Sequence, residues 1–458
     1  MRALVIAALC VAVAAMPHPA RGQDAEALRR ELEQLKRQQQ EYQKAIEALS
    51  ERLQRLESQQ TAPPAAAAQP GPAAPPVTQA PPAPSATTTP LSATDLARPR
   101  EPFALYQARG SGQLLFDMGV TGDFVASLTQ KNVQKANAGT FSGRENRFFP
   151  REVELSLFGQ VDPYARAEVR IEAGEEAPGV ETGVRLAEGT LTLLTLPWGT
   201  QAKLGQMRNR FGWSNVIHEH DLPWIDRPDV YRVFLGEDGL VEKGAEATWV
   251  PDFLPFYVEL LGGVFNGDNE VAFGRGLLTH PLVTGRARAF FELDDDNALQ
   301  VGVSLANGDT PEQTRSTQLG YDLKYKYRPE GWLHPLLTLG SEGIYSIREL
   351  TNEAGFFEKK TKDRFGWYGW AELQPWRRWA VGVRYDSTQY PVNPGWQWAV
   401  EPYVTFWPSE FLRFRVAYKH TERDHRDGFG ANGGSGRIVD EALFQGTFVL
   451  GAHPAHPF

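Results

Sequence analysis

Three observations predict an all-β transmembrane barrel of about 16 antiparallel strands, preceded by an α-helical coiled coil and a disordered linker. Segments of alternating apolar and charged residues recur, the links between them are alternately short and long, and aromatic residues gather near the short links. In Ala165-Arg166-Ala167-Glu168-Val169-Arg170-Ile171-Glu172 the apolar side chains point one way from an extended strand and the charged ones the other. Leu319 to Tyr327 and Leu412 to Lys419 repeat the pattern. An apolar face backed by a charged one, carried around a closed sheet, suits a wall with lipid outside and water inside. A β-sandwich would show the same alternation. A propeller or solenoid fits less well, because no motif repeats at a fixed period.

The chain has 458 residues, 43 of them Gly, and 11% are aromatic. Residues 1–22 read as a signal peptide, with Arg2 ahead of an apolar core from Ala3 to Ala15 and small residues at Ala20 and Gly22. Removing them takes away Arg2 and Arg21 and moves the net charge from -9 to -11. An acidic exported protein is a poor nucleic-acid binder, and no nucleic-acid partner is expected. The single cysteine, Cys10, falls inside the leader, so a mature chain offers neither disulfide nor thiolate metal site.

Residues 23–60 carry Leu28, Leu32, Leu35, Gln39, Tyr42, Ile46, Leu49, Leu53 and Leu56, spaced by fours and threes. This is the seam of a coiled coil, expected in the periplasm, where it would hold a homotrimer together or touch peptidoglycan. Residues 61–110 are rich in Pro and Ala and form a spacer. The barrel is assigned to 111–458, in outer-membrane lipid.

Strands are expected at 113–121, 152–161, 164–172, 184–196, 199–207, 240–250, 256–265, 286–294, 298–306, 315–327, 333–345, 364–373, 377–385, 396–407, 410–420 and 438–451. The long links are 122–151, 173–183, 208–239, 266–285, 307–314, 346–363, 386–395 and 421–437. Outer-membrane barrels have an even strand number, short periplasmic turns and long outer loops. Trp198, Trp249, Trp332, Trp376, Trp379, Trp407 and Tyr327 lie by the short turns, where an interfacial girdle would sit.

The stretches Leu186 to Leu191, Leu196 to Gln206, Phe211-Gly212, His218 to Asp221, Asp226-Arg227-Pro228, Phe234 to Leu240 and the tail Gly451 to Phe458 resemble bacterial outer-membrane porin-like proteins. The nearest group is labelled zinc-regulated outer-membrane receptors, distantly like phosphate-selective porins. The resemblance implies a Gram-negative outer-membrane channel. A TonB-dependent receptor would need a globular plug and a barrel of about 22 strands. A coiled coil and a Pro-rich linker cannot supply the plug, so an open porin is the better expectation.

For a pore, chemistry lies in the lining and in any loop that narrows it. Alternation turns Arg166, Arg170, Lys203, Arg286, Arg288, Lys324, Lys326, Arg378, Arg384, Arg413, Arg415 and Lys419 inward. The acids turned inward are Glu152, Glu154, Glu168, Glu172, Glu242, Glu246, Glu259, Glu292, Asp322 and Glu401. The third and longest link carries the expected constriction, with Arg208, Arg210, His218, Glu219, His220, Asp221, Asp226 and Arg227. His218 and His220 offer imidazoles suited to zinc, although two His alone bind weakly. His453 and His456 in the tail are weaker candidates. Pro454 and Pro457 should stop the last strand near Gly451.

No nucleophile motif such as Gly-x-Ser-x-Gly occurs, so no enzyme and no cofactor is expected. Passive diffusion of small hydrophilic solutes or ions is the expected activity. A metal-linked uptake receptor and a barrel-anchored envelope tether are the alternatives.

Overall fold

The computed structural model describes residues 108–109, 112–113, 116–177, 180–329, 334–350, 360–392, 394–424 and 437–451. The expected signal peptide, the coiled coil, most of the linker, Trp332 and the tail from Ala452 to Phe458 lie outside them.

Period-two alternation yields sixteen strands that close on themselves. They are β1 Phe116–Thr129, β2 Arg147–Asp162, β3 Ala165–Ala177, β4 Val180–Leu196, β5 Thr200–Arg208, β6 Val241–Trp249, β7 Tyr257–Phe265 and β8 Leu282–Glu292. The circuit continues with β9 Asn297–Asp309, β10 Arg315–Tyr327, β11 Leu336–Leu350, β12 Lys360–Trp376, β13 Trp379–Gln389, β14 Trp396–Ser409, β15 Leu412–Arg423 and β16 Ile438–Gly451. Each strand pairs antiparallel with its neighbour in sequence. β16 returns to β1 in a register running from Glu441↔Thr129 to Gly451↔Gly119. Closure leaves no row of unpaired backbone groups, which a sheet in lipid cannot tolerate.

Burial in this sheet is inverted relative to a soluble fold. Leu204, Val264, Val303, Leu323, Leu339, Val383, Val404 and Val416 are exposed on the outer face. Their neighbours Glu246, Gln300, Asp322, Glu342, Arg384, Thr405 and Lys419 are buried inside. A sandwich would bury the apolar set, so this pattern selects the barrel and demands an apolar solvent around it. Trp198, Trp249, Trp376 and Trp379 are exposed beside the short turns. Among the described residues no helix is long and apolar enough to cross a membrane.

The expected alternation of link lengths holds less strictly than the strands do. The segment 173–183, expected as a long link, is mostly strand: β3 runs to Ala177 and β4 starts at Val180, paired through Gly174↔Thr182 and Glu175↔Glu181. Beyond Gly174 and before Gly189 these two strands pair with each other and not with β2 or β5. Bulges between Arg170 and Ala177 give this two-stranded ribbon the extra twist to leave the wall. The link 307–314 likewise shortens to 310–314, closed by the hydroxyls of Thr310 and Thr314 at 2.7 Å. The link from Asn209 to Leu240 keeps its length and holds the helix α1, Asp229–Leu235.

Candidate functional site

The link from Asn209 to Leu240 leaves the wall at β5 and rejoins it at β6, yet its middle bonds to β13 and β15. In a ring of sixteen, β13 stands eight strands from β5, on the opposite wall. The segment therefore crosses the lumen.

Charge holds its far end. Asp226 Oδ1 lies 2.6 Å from Arg384 Nη2, and Asp226 Oδ2 lies 2.7 Å from Lys419 Nζ. Asp229, in the first turn of α1, takes a second bond from Lys419 at 2.8 Å and one from Gln397 Nε2 at 2.7 Å. Arg384 also pairs with Asp386 at 2.7 Å and with its cross-strand neighbour Glu401 at 2.8 Å. Burial alone would raise the Asp226 carboxyl, but Arg384 and Lys419 outweigh it and hold it well below the usual carboxylate range. Asp229 is lowered in the same way by Lys419 and Arg232.

Aromatic packing holds the middle. Trp213 stacks on Trp370 of β12 with ring centroids 5.0 Å apart, and Trp224 meets Trp370 edge-on at 5.2 Å and Tyr368 at 5.4 Å. Such pairs each add about 0.5–1.5 kcal/mol beyond the area they bury. Lys324 Nζ sits 4.1 Å from the Trp213 ring centroid. The Glu342 carboxylate accepts from the Trp213 backbone N–H, from the Ser214 hydroxyl at 2.6 Å and from the Tyr368 hydroxyl. Gly212 makes this approach possible with a φ of +70°, and a Cβ there would strike the Tyr231 hydroxyl.

The loop's mass therefore lies against β10–β15, and open space remains along β2–β9. One cavity of about 400 Å³ is lined by Phe141, Arg144, Glu175, Arg185 and Glu237, toward the long-link end. A second, of about 540 Å³, reaches toward the short-turn end past Arg166, Thr192 and Gln201. Arg208 lines both. The second cavity is strongly basic: Arg166, Arg170, Lys203, Arg208, Arg210, Arg286 and Arg288 stand against Glu168, Glu188 and Glu259.

Between the cavities the loop lays His218 and His220 against β2. Glu152 lines the first cavity and His218 the second. His218 Nδ1 is 2.9 Å from Glu154 Oε2 and 3.7 Å from Glu152 Oε1, while its Nε2 is 2.8 Å from Glu188 Oε1. His220 Nδ1 is 3.4 Å from Glu152 Oε1, and its Nε2 is 2.9 Å from Asp221 Oδ2. Burial and Arg208 oppose a charge on His218, but Glu152 and Glu154 outweigh them and hold its pKa up at about 9. His220 is raised as well, against burial, by Asp221 and Glu152.

Of the residues expected at a constriction, Arg208 and Arg210 face the open cavities, with Arg210 bonded to Glu246 at 2.6 Å and Glu259 at 3.1 Å. Glu219 lies 3.4 Å from Arg151. Arg227 turns back into the loop to donate to Ile217 O at 3.1 Å, and burial with Arg208 lowers it to about 10. Of the expected lining, Arg166, Arg170, Lys203, Arg286 and Arg288 border the second cavity. Lys326 faces inward on β10, and Arg413 donates to Thr447 at 3.3 Å. Arg384 and Arg415 lie under the loop, with Arg415 donating to Trp224 O at 2.9 Å. Sequence reasoning did not single out Trp213, Trp224, Tyr368, Trp370 or Glu342. Alternation turns Tyr368 and Trp370 inward, and rings in a polar lumen need cover, which was the available signal.

No protein family profile matches this sequence. The chain is 29% identical over 343 residues to an uncharacterized protein of Aquifex aeolicus (strain VF5), covering 67% of this chain and 69% of that one. Among solved structures it is similar to DcaP, an outer membrane channel of Acinetobacter baumannii, with 10% identity, TM-score 0.49 and coverage of 76% and 100%. OmpT of Vibrio cholerae gives 9% identity, TM-score 0.48 and coverage of 76% and 100%. An anion-selective porin from Comamonas acidovorans gives 10% identity, TM-score 0.50 and coverage of 74% and 100%. At this identity the likeness to that porin is one of fold, a closed outer-membrane-type β-barrel.

Proposed function

We propose that this chain is an outer-membrane porin through which small hydrophilic solutes or ions diffuse, with the 209–240 loop as its constriction. One observation carries the reading: a segment bonded to opposite walls of a polar lumen, with two cavities beside it that share Arg208. A passage bordered by Arg166, Arg170, Lys203, Arg208, Arg286 and Arg288 favours anions, because a cleft lined by one sign of charge concentrates counter-ions. The heptads of residues 23–60 support a homotrimer with its N-terminal segment in the periplasm. Membership of the zinc-regulated outer-membrane group is the finer assignment that the sequence motifs favour.

The test is single-channel recording of the purified protein in planar bilayers, with the reversal potential measured in a salt gradient. Discrete steps with an anion-selective reversal potential are expected. Folded, inserted protein that gives no steps would overturn the channel, and a barrel serving as anchor for its coiled coil would take its place.

A further inference from the structure

The four groups that meet between the cavities have the chemistry of a metal site. A tetrahedral zinc ion with bonds of about 2.0–2.1 Å keeps its ligands roughly 3.3–3.4 Å apart. The contacts of 2.9, 3.4 and 3.7 Å among His218 Nδ1, His220 Nδ1, Glu152 Oε1 and Glu154 Oε2 bracket that spacing. One ligand atom from each of the four residues lies within 4.8 Å of all the others.

A second observation concerns how the rings are held. His218 Nε2 lies in hydrogen-bonding reach of the Glu188 carboxylate, and His220 Nε2 faces the Asp221 carboxylate. A proton on each Nε2 leaves a lone pair on each Nδ1, and both Nδ1 atoms face Glu152. This is the outer carboxylate–imidazole arrangement that orients metal-bound histidines. His218 Nδ1 and Glu154 Oε2 are both buried and lie 2.9 Å apart without hydrogen-bond alignment. In the neutral tautomer with its proton on Nε2, His218 turns a lone pair toward that carboxylate, and a cation between the two atoms completes both.

We propose that Glu152, Glu154, His218 and His220 bind one divalent transition-metal ion, with imidazole and carboxylate donors suited to zinc, at the neck between the two cavities. The ion ties the loop to β2, three strands around the ring from Lys419 of its Asp226 anchor. Its effect on current rests on the channel reading; its binding does not.

Calorimetry of the full-length protein in detergent, titrated with ZnCl2, tests the site. One ion per chain is expected. His220→Ala and Glu152→Gln should abolish that binding, while Glu188→Gln, which keeps every ligand, should weaken it by roughly 10–100-fold. His280→Ala, an exposed histidine elsewhere, and the pair His453→Ala/His456→Ala should leave it unchanged. Heat-modifiable electrophoretic migration reports whether each barrel has folded. If His220→Ala does not fold, the absorption of Co2+ in the wild-type protein, and its quenching by Zn2+, gives a second readout of an imidazole-ligated ion.

Absence of stoichiometric binding by folded wild type would overturn the site, as would binding lost with the tail histidines but kept in His220→Ala. In bilayers, micromolar ZnCl2 should reduce wild-type conductance and leave that of His220→Ala unchanged. A wild-type protein that binds zinc without ever conducting would sink the channel and spare the site. One that conducts without binding zinc would do the reverse.

Discussion

Lys419 bridges two loop carboxylates from the far wall, so Lys419→Met tests whether the loop is docked by charge. Methionine keeps the length and most of the apolar stem and removes the ammonium. Lys419 is only 1% exposed and its side chain makes no ladder bond, so the β14–β15–β16 pairing should survive. What changes is the balance beneath the loop. Asp226, Asp229, Asp386 and Glu401 meet Arg384 and Lys419 there, and the substitution leaves the four acids to Arg384 and, 3.7 Å from Asp229, Arg232. Removing one partner of a buried pair costs about 3–5 kcal/mol. At about 1.4 kcal/mol per tenfold, the undocked population should rise by roughly two to four orders of magnitude. Single-channel records should show frequent larger-conductance substates, and a larger solute cut-off in liposome swelling, with heat-modifiable migration unchanged. Neutralising one orphaned acid, in Lys419→Met/Asp229→Asn, should recover part of the wild-type behaviour. A Lys419→Met channel with wild-type conductance and cut-off would refute the idea that this loop narrows the passage.

Three further outcomes follow from the same geometry. Gly212→Ala forces a side chain into a φ of +70° and onto the Tyr231 hydroxyl, at a cost of about 1–3 kcal/mol, and should raise protease cleavage between residues 209 and 240. Gly262→Ala, where an added Cβ meets nothing within 4 Å, should be silent in the same assay. The Asp226 and Asp229 carboxyls sit below their unfolded values because of Lys419, Arg384 and Arg232. Depressed carboxyls stabilise docking at every pH above about 4 and lose that contribution only as pH falls further, so larger substates from this anchor should appear below about pH 4 and not between 7 and 5. Finally, Lys203→Glu/Arg288→Glu turns a cavity lined by seven cations and three carboxylates into one with five of each. Its anion preference, read from the reversal potential, should fall roughly several-fold toward none.

The wall was legible because its signal is local. A strand with lipid on one side and water on the other must alternate, and Leu412 to Lys419 declares both faces without reference to any partner. The ends of strands were less legible. Gly174 to Ala177 and Val180 to Thr182 pair only with each other, and Glu175-Glu176-Ala177 and Val180-Glu181-Thr182 lack the sustained alternation that marks the wall strands. The loop's ordinal place and its charges were readable, but its docking was not. Asp226 meets Arg384 across 158 residues and Lys419 across 193, and period two fixes which way a side chain points, never what arrives to meet it.

The His/Glu cluster shows where that boundary lies. Alternation turned Glu152 and Glu154 inward, and composition marked His218 and His220 as donors, so all four ligands were visible separately. What joined them was the path of the loop, set in part by its contacts with β12, β13 and β15. Trp213 and Trp224 settle on Trp370, Asp226 locks onto Arg384, and Arg151 of β2 reaches Ile225 O and Glu219, which brings the intervening turn from Ile217 to Asp221 against β2. The Asp226 contacts and the β2 contacts of the loop are then coupled. Loosening the Asp226 end with Lys419→Met should weaken zinc binding at the Glu152 end without touching a ligand, since an ion that ties the loop to the wall must then also hold the loop in place. By the same reciprocity, zinc should suppress the larger substates of Lys419→Met. Zinc affinity that is indifferent to Lys419 would mean that the cluster is built by β2 and the turn alone, and that the loop docks as two independent pieces.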